Sequence, residues 1–166
     1  MFELLRTATL AASTLTMGLT AGLFYSFACA VMLGLNRTDD RSFISAMQWI
    51  NVKILNGWFA LAFAGALILT IAAGALHLSG GGRPVLPWIV AGLVLYGVVL
   101  VVTFAVNVPL NDQLAAAGDP AAIADPAAVR QAFEAKWVRW NTVRAVASTA
   151  AFGCLVWALI VHGGTA

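Results

Sequence analysis

Four stretches of this sequence contain no Asp, Glu, Lys or Arg: Thr7 to Leu35, Gly57 to Leu76, Val85 to Val106 and Ala145 to Val161. About 20 apolar residues in a helix cross a bilayer core roughly 30 Å thick, and the hydrocarbon offers the backbone no outside partners. Separate runs of this length therefore predict an all-α integral membrane four-helix bundle, a single membrane domain over residues 1–166 with spans at 7–35, 57–76, 85–106 and 145–161. The fourth is the shortest and is expected to be extended by a helix leading into it. Composition agrees, with 61% hydrophobic and 10% charged residues against about 45–50% and about 25% in soluble domains. Arg6 ahead of the first run gives it the look of a signal peptide, but an apolar h-region is about 7–15 residues and this run is nearly twice that.

Lys and Arg in short loops favour the cytoplasmic side. Arg37, Arg41 and Lys53 lie between runs one and two; Arg130, Lys136, Arg139 and Arg144 lie between runs three and four; Arg6 and Arg83 lie on the other side. The bias predicts a multi-pass protein of the cytoplasmic membrane with both termini outside. Acidic residues follow the same asymmetry, so the net charge of +2 gives no support to nucleic-acid binding.

The connecting segments differ in kind. HLSGGGRP, between runs two and three, has the glycines and proline of a short turn. On the other side, Asp39 or Asp40 can cap a helix through RSFISAMQWINVKIL, an additional amphipathic helix in the first cytoplasmic loop. Its apolar face carries Phe43, Ile44, Met47, Ile50, Ile54 and Leu55, with Asn51 falling between Ile44 and Met47. Asp119-Pro120 and Asp125-Pro126 both have the form of an N-cap followed by proline at the first helical position. From Pro126 the pattern can continue as one helix into the fourth run.

On that helix Trp137, Trp140, Asn141 and Arg144 stand at i, i+3, i+4 and i+7, forming one stripe, with Lys136 and Arg139 off it. An Arg near a span end commonly snorkels and a Trp commonly marks the interface, which accounts for Lys136 and Arg139 better than for the aligned four. At the end of run three, NVPLNDQL places Asn107 and Asn111 around Pro109, which bends or stops a helix and frees carbonyls. Asn51, Asn107, Asn111, Asn141 and Arg144 thus converge at one membrane depth, and the long first run can add Phe24, Tyr25, Ser26 and Phe27. Polar groups inside an apolar, aromatic setting mark a default binding site.

The segments AGLFYSFACAVMLGL, AMQWINVKILN, VPLNDQL and WVRWNTVRA, in this order, resemble the small four-span membrane family of unknown function that includes the anthrone oxygenases of polyketide biosynthesis. The resemblance extends over essentially the whole chain. It implies an oxidoreductase that oxidises an activated aromatic methylene to a carbonyl with O2 as co-substrate and no cofactor. An anthrone-like or phenolic substrate can lose a proton to give a delocalised anion that itself reduces dioxygen. Its partners would be a lipophilic aromatic small molecule and the lipid bilayer.

Under that implication Arg144 pairs with the enolate or phenolate oxygen, and Asn51, Asn107, Asn111 and Asn141 orient carbonyl and phenolic oxygens. Trp137, Trp140 and Tyr25 supply ring contacts, with Phe24 and Ser26 beside them. Asp112, Glu134, Tyr25 or solvent remain as proton acceptors. The two histidines, His77 and His162, lie at the outer ends of runs two and four without nearby carboxylates, which suits surface polar residues better than iron ligands. No metal site is expected. No Ser-His-acid or Cys-His set shares a membrane side, and Cys29 and Cys154 are read as small apolar residues. GLTAG sets Gly18 and Gly22 at GxxxG spacing, permitting close packing within the bundle or across a homo-oligomer. The alternative function is a non-catalytic accessory protein that binds a lipophilic ligand.

Overall fold

A computed structural model describes residues 1–78 and 83–165, and the glycines of the HLSGGGRP turn lie outside the described residues. Those residues form α1 (Phe2–Leu35), α2 (Asp40–Lys53), α3 (Gly57–Leu76), α4 (Leu86–Ala116) and α5 (Pro126–Thr165). Four of them, all but α2, are long and apolar enough to cross a membrane. The protein is a multi-pass membrane helix bundle.

In this bundle α1 packs on α3 and α5, α4 packs on α5, and α3 closes against α4. Leu10, Met17, Ala66, Ala73, Ile89, Tyr96, Ala151 and Leu155 form its membrane core. Leu15, Leu19, Ile68, Val94 and Val101 point outward, where lipid tails would cover them. Small residues let helices approach: a Cβ on Gly92 would lie 3.4 Å from the Ala151 carbonyl on α5. Gly18 of the GLTAG motif meets the Phe152 ring of α5, whereas Gly22 has open space around it, so half of the motif serves the fold itself. Buried hydroxyls find partners within the apolar layer, Ser13 with Thr70 at 2.7 Å and Tyr96 donating to the Phe63 carbonyl at 2.7 Å.

A second core stands at the loop end, where Phe43, Ile44 and Met47 of α2 meet Phe27, Leu110, Leu114, Phe133 and Trp137. Asp39 caps α2 by accepting from the Ser42 backbone N–H at 3.0 Å. The helix ends at Lys53, earlier than the apolar pattern suggests. Asn56 caps α3 immediately afterwards, accepting from Trp58 and Phe59, and the break leaves Leu55 exposed. Of the two Asp-Pro pairs, only Asp125-Pro126 starts a helix. Asp119 instead closes an Asx turn on Ala121, because Gly118, at φ 79°, has just turned the chain out of α4.

Two loop cations, Arg130 and Arg41, are tied down. Arg130 donates to Glu134, Asp40 and the carbonyls of Asn36 and Thr38 while lying over the Phe43 ring. Arg41 donates to the carbonyls of Pro120, Ala121 and Ile123. At the opposite end the two histidines are not surface residues. Both are buried, with ring centroids 5.2 Å apart, because α3 and α5 end against the buried Arg6 turn of α1. His77 Nδ1 lies 2.7 Å from the Ala73 carbonyl, and Thr7 Oγ1 lies 2.8 Å from His162 Nε2.

Candidate functional site

Two of the spanning helices carry a π-helical turn, Phe27–Val31 in α1 and Thr103–Asn107 in α4. Such turns widen the helical ladder and recur at functional sites. Pro109 follows the second, and α4 passes through it without stopping, so Asn107 and Asn111 do share one continuous helix. Three side chains of the predicted stripe, Trp137, Asn141 and Arg144, gather beside these turns.

Arg144 is the centre. Its guanidinium carbon lies 4.3 Å from the Phe24 ring centroid and 5.3 Å from that of Trp137. The side chain is buried, only 6% of the residue being accessible, and it makes no ion pair among the described residues. One nitrogen donates to Asn141 Oδ1 at 3.0 Å, whereas its buried Nε has no hydrogen-bond partner. Buried cations are normally paired, because the charge is costly to remove from water. Here the compensation comes from an amide dipole and two ring faces.

The amides are oriented by their partners. Asn141 donates through Nδ2 to the Phe24 carbonyl at 3.1 Å, which turns its oxygen to Arg144. Asn107 donates to the Trp137 carbonyl at 3.3 Å and leaves its buried Oδ1 unpartnered. Trp137 Nε1 donates to Asn111 Oδ1 at 2.8 Å. An indole nitrogen is a donor only, so it is the oxygen of Asn111 that faces Trp137 and the NH2 that points away. Asn51 presents a buried Nδ2 with no partner.

Phe24, Asn107, Asn111, Trp137, Asn141 and Arg144 are therefore brought together. Tyr25, Ser26 and Trp140 are not. Neighbouring helical residues diverge by about 100°, so with Phe24 inward Tyr25 is 60% exposed, and Ser26 bonds back to Leu23 of its own helix. Trp140 sits about 60° round the helix from Trp137 and is half-buried at the edge of the stripe. Phe27 takes the inward place instead, 5.5 Å from the Trp137 ring. Thr103, buried with an unpartnered Oγ1, also belongs to the orphaned polar groups of this layer. Its position four residues before Asn107 was the available signal for it.

Beside the cluster lies an open groove of about 730 Å3 between α2 and the last turns of α4, lined among others by Trp49, Asn51, Phe59, Asn111, Asp112 and Ala115. Pockets of about 300–1,000 Å3 suit small ligands. Arg144 does not line it. Asn111 belongs to both, one face in the groove and its oxygen bonded to Trp137.

Fold and site together define a membrane protein whose described residues form a four-span helical bundle, with a buried cation and two under-bonded amides at one end. A family model described as anthrone oxygenase matches residues 56–154, more than half of the chain. The chain belongs to the anthrone oxygenase family. The match takes in Asn107, Asn111, Trp137, Asn141 and Arg144 but not Phe24 or Asn51. No curated protein and no solved structure matches.

Proposed function

We propose that this protein is an oxygenase-type oxidoreductase that converts the activated methylene of a lipophilic, anthrone-like or phenolic compound to a carbonyl. The balance is CH2 + O2 giving C=O + H2O, with the substrate anion as reductant and no further cofactor called upon. The observation that carries this reading is Arg144, a cation held inside an apolar bundle without a carboxylate among the described residues. A fixed positive charge in a low-dielectric setting favours the enolate over the neutral substrate. Asn141 holds the guanidinium in place, and the indole of Trp137 lies between it and Asn111. The basic loops favour a cytoplasmic location for this end, with both termini outside.

The test is to incubate detergent-purified protein with an anthrone in air and follow quinone formation beside Arg144→Ala. Wild type is expected to exceed buffer, and the variant to lose most of that excess; equal rates in all three would sink the proposal. The apolar groove supports a second reading, an accessory protein that holds a lipophilic ligand. That protein would bind the same compounds without accelerating oxygen uptake.

A further inference from the structure

Resting on the oxygenase reading, we infer that the groove between α2 and the last turns of α4 seats the substrate, with the Asn51 and Asn111 amides holding its oxygens and Asp112 taking its methylene proton. The groove is mainly apolar, with the side chains of Val52, Leu55, Phe59 and Val108 in its lining beside Trp49. Flat fused rings match such walls. Its polar groups are few and differ in kind. Asn51 brings a buried N–H group with no partner, and Asn111 an NH2 turned away from Trp137. Two amide donors suit carbonyl and phenolic oxygens, which are acceptors. Turning the Asn51 amide from its buried position toward the groove would let a ligand oxygen satisfy a donor that the protein leaves unbonded.

Asp112 follows Asn111 directly and lines the same groove. Its carboxylate is exposed and enters no ion pair among the described residues. A methylene C–H bond of the seated substrate breaks with its proton passing to a carboxylate oxygen of Asp112. The electron pair spreads through the rings onto the ligand oxygen. That oxygen gains charge where Asn111 donates. Asn111 in turn accepts from Trp137, whose ring lies beside the Arg144 cation. The cation near the indole ring draws electron density from it and makes its N–H a stronger donor, and hydrogen bonds in series polarise one another, so Arg144 strengthens the Asn111 donor without touching the ligand. Protonated Asp112 is open to water and returns its proton there.

The experiment uses the full chain in detergent and 1,8-dihydroxyanthraquinone, a stable flat probe with carbonyl and phenolic oxygens, titrated by tryptophan quenching. Ala115→Trp fills the groove from an exposed helix position, and circular dichroism checks its fold. Binding is expected to weaken by about tenfold or more, a factor worth about 1.4 kcal/mol; unchanged binding would overturn the seat. Asp112→Asn is expected to lower the anthrone oxidation rate by about 10²-fold or more, with the remaining rate climbing as pH rises because hydroxide replaces the lost base. A wild-type rate and pH profile in Asp112→Asn overturns its role. Probe binding lost in Ala115→Trp, with no oxidation by wild type, would keep the seat and defeat the oxygenase reading together with the Asp112 role.

Discussion

Arg144 and Phe24 are joined twice, once by the guanidinium over the Phe24 ring at 4.3 Å and once through Asn141, which bonds both the Phe24 carbonyl and Arg144. The π turn of α1 begins three residues after Phe24, and that of α4 ends at Asn107, which bonds the Trp137 carbonyl. An amide thus ties α5 to α1 just ahead of its π turn and to α4 at the end of its own. The arrangement stores an unpaired charge in the bundle, which is costly for folding and useful for anion chemistry.

Replacing that charge should therefore trade function for stability. Arg144→Met retains side-chain volume and removes a buried cation that has no carboxylate partner among the described residues, and even buried ion pairs replaced by apolar residues are often neutral or stabilising by about 1–4 kcal/mol. A thermal melt in detergent should show Tm unchanged or raised, with oxygen uptake on an anthrone lost. A fall of many degrees would mean that Arg144 is needed mainly to hold α1 against α5.

Asn141→Asp offers a carboxylate where Arg144 now meets an amide oxygen at 3.0 Å. The new ion pair neutralises the cation, and a carboxylate oxygen replaces the donor to the Phe24 carbonyl. Oxidation should fall by about tenfold or more, the scale of losing an oriented electrostatic group. Steady-state quinone formation measures it, and an undiminished rate would show that the charge of Arg144 is not used.

Trp137→Phe keeps the ring beside Arg144 but deletes the N–H that Asn111 accepts. The half-buried Asn111 oxygen loses its donor, a change worth about 1–3 kcal/mol for a buried group. Denaturant unfolding should register a loss in that range. The rate should drop without abolition, since Asn111 can still donate but is free to turn; loss of rate equal to that of Arg144→Ala would point to a more direct role for the indole.

The cap of α2 predicts a pH effect. Ser42, through its side chain and backbone N–H, holds the Asp39 carboxyl below its usual value. A carboxylate depressed in the folded state contributes stability above its unfolded pKa and loses it as pH falls through the folded value. Amide exchange along α2 should accelerate in that acidic window, and Asp39→Ala should remove the pH dependence while speeding exchange at neutral pH. The same acid sensitivity in Asp39→Ala would assign it to another group.

Much of this molecule was legible in the residues. Uncharged runs of membrane length left the backbone no alternative to helices, so the four spans, the amphipathic α2 and the long α5 followed from hydropathy and spacing. Helical period alone put Trp137, Asn141 and Arg144 on one face. Grouping Tyr25 and Ser26 with Phe24 overlooked the same period, which turns neighbouring residues about 100° apart, and the exposed tyrosine obeys it. Cap chemistry was less decisive, since Asp119-Pro120 and Asp125-Pro126 look alike and differ only in the chain that precedes them.

What tertiary structure decided was which groups find partners. Sequence placed Arg144 at a span end, where snorkelling to water was an ordinary fate; only the packing of α1 against α5 buries it between Phe24 and Trp137. Sequence placed His77 and His162 at the same outer end as surface polar residues, and the convergence of three helices buried them face to edge. The groove likewise depends on how far α2 stands from α4, a distance set by Gln48 bonding the Leu114 and Gly118 carbonyls across it. Local periodicity fixes the direction of a side chain from its own helix, whereas its partner, its burial and the space beside it depend on neighbours remote in the chain.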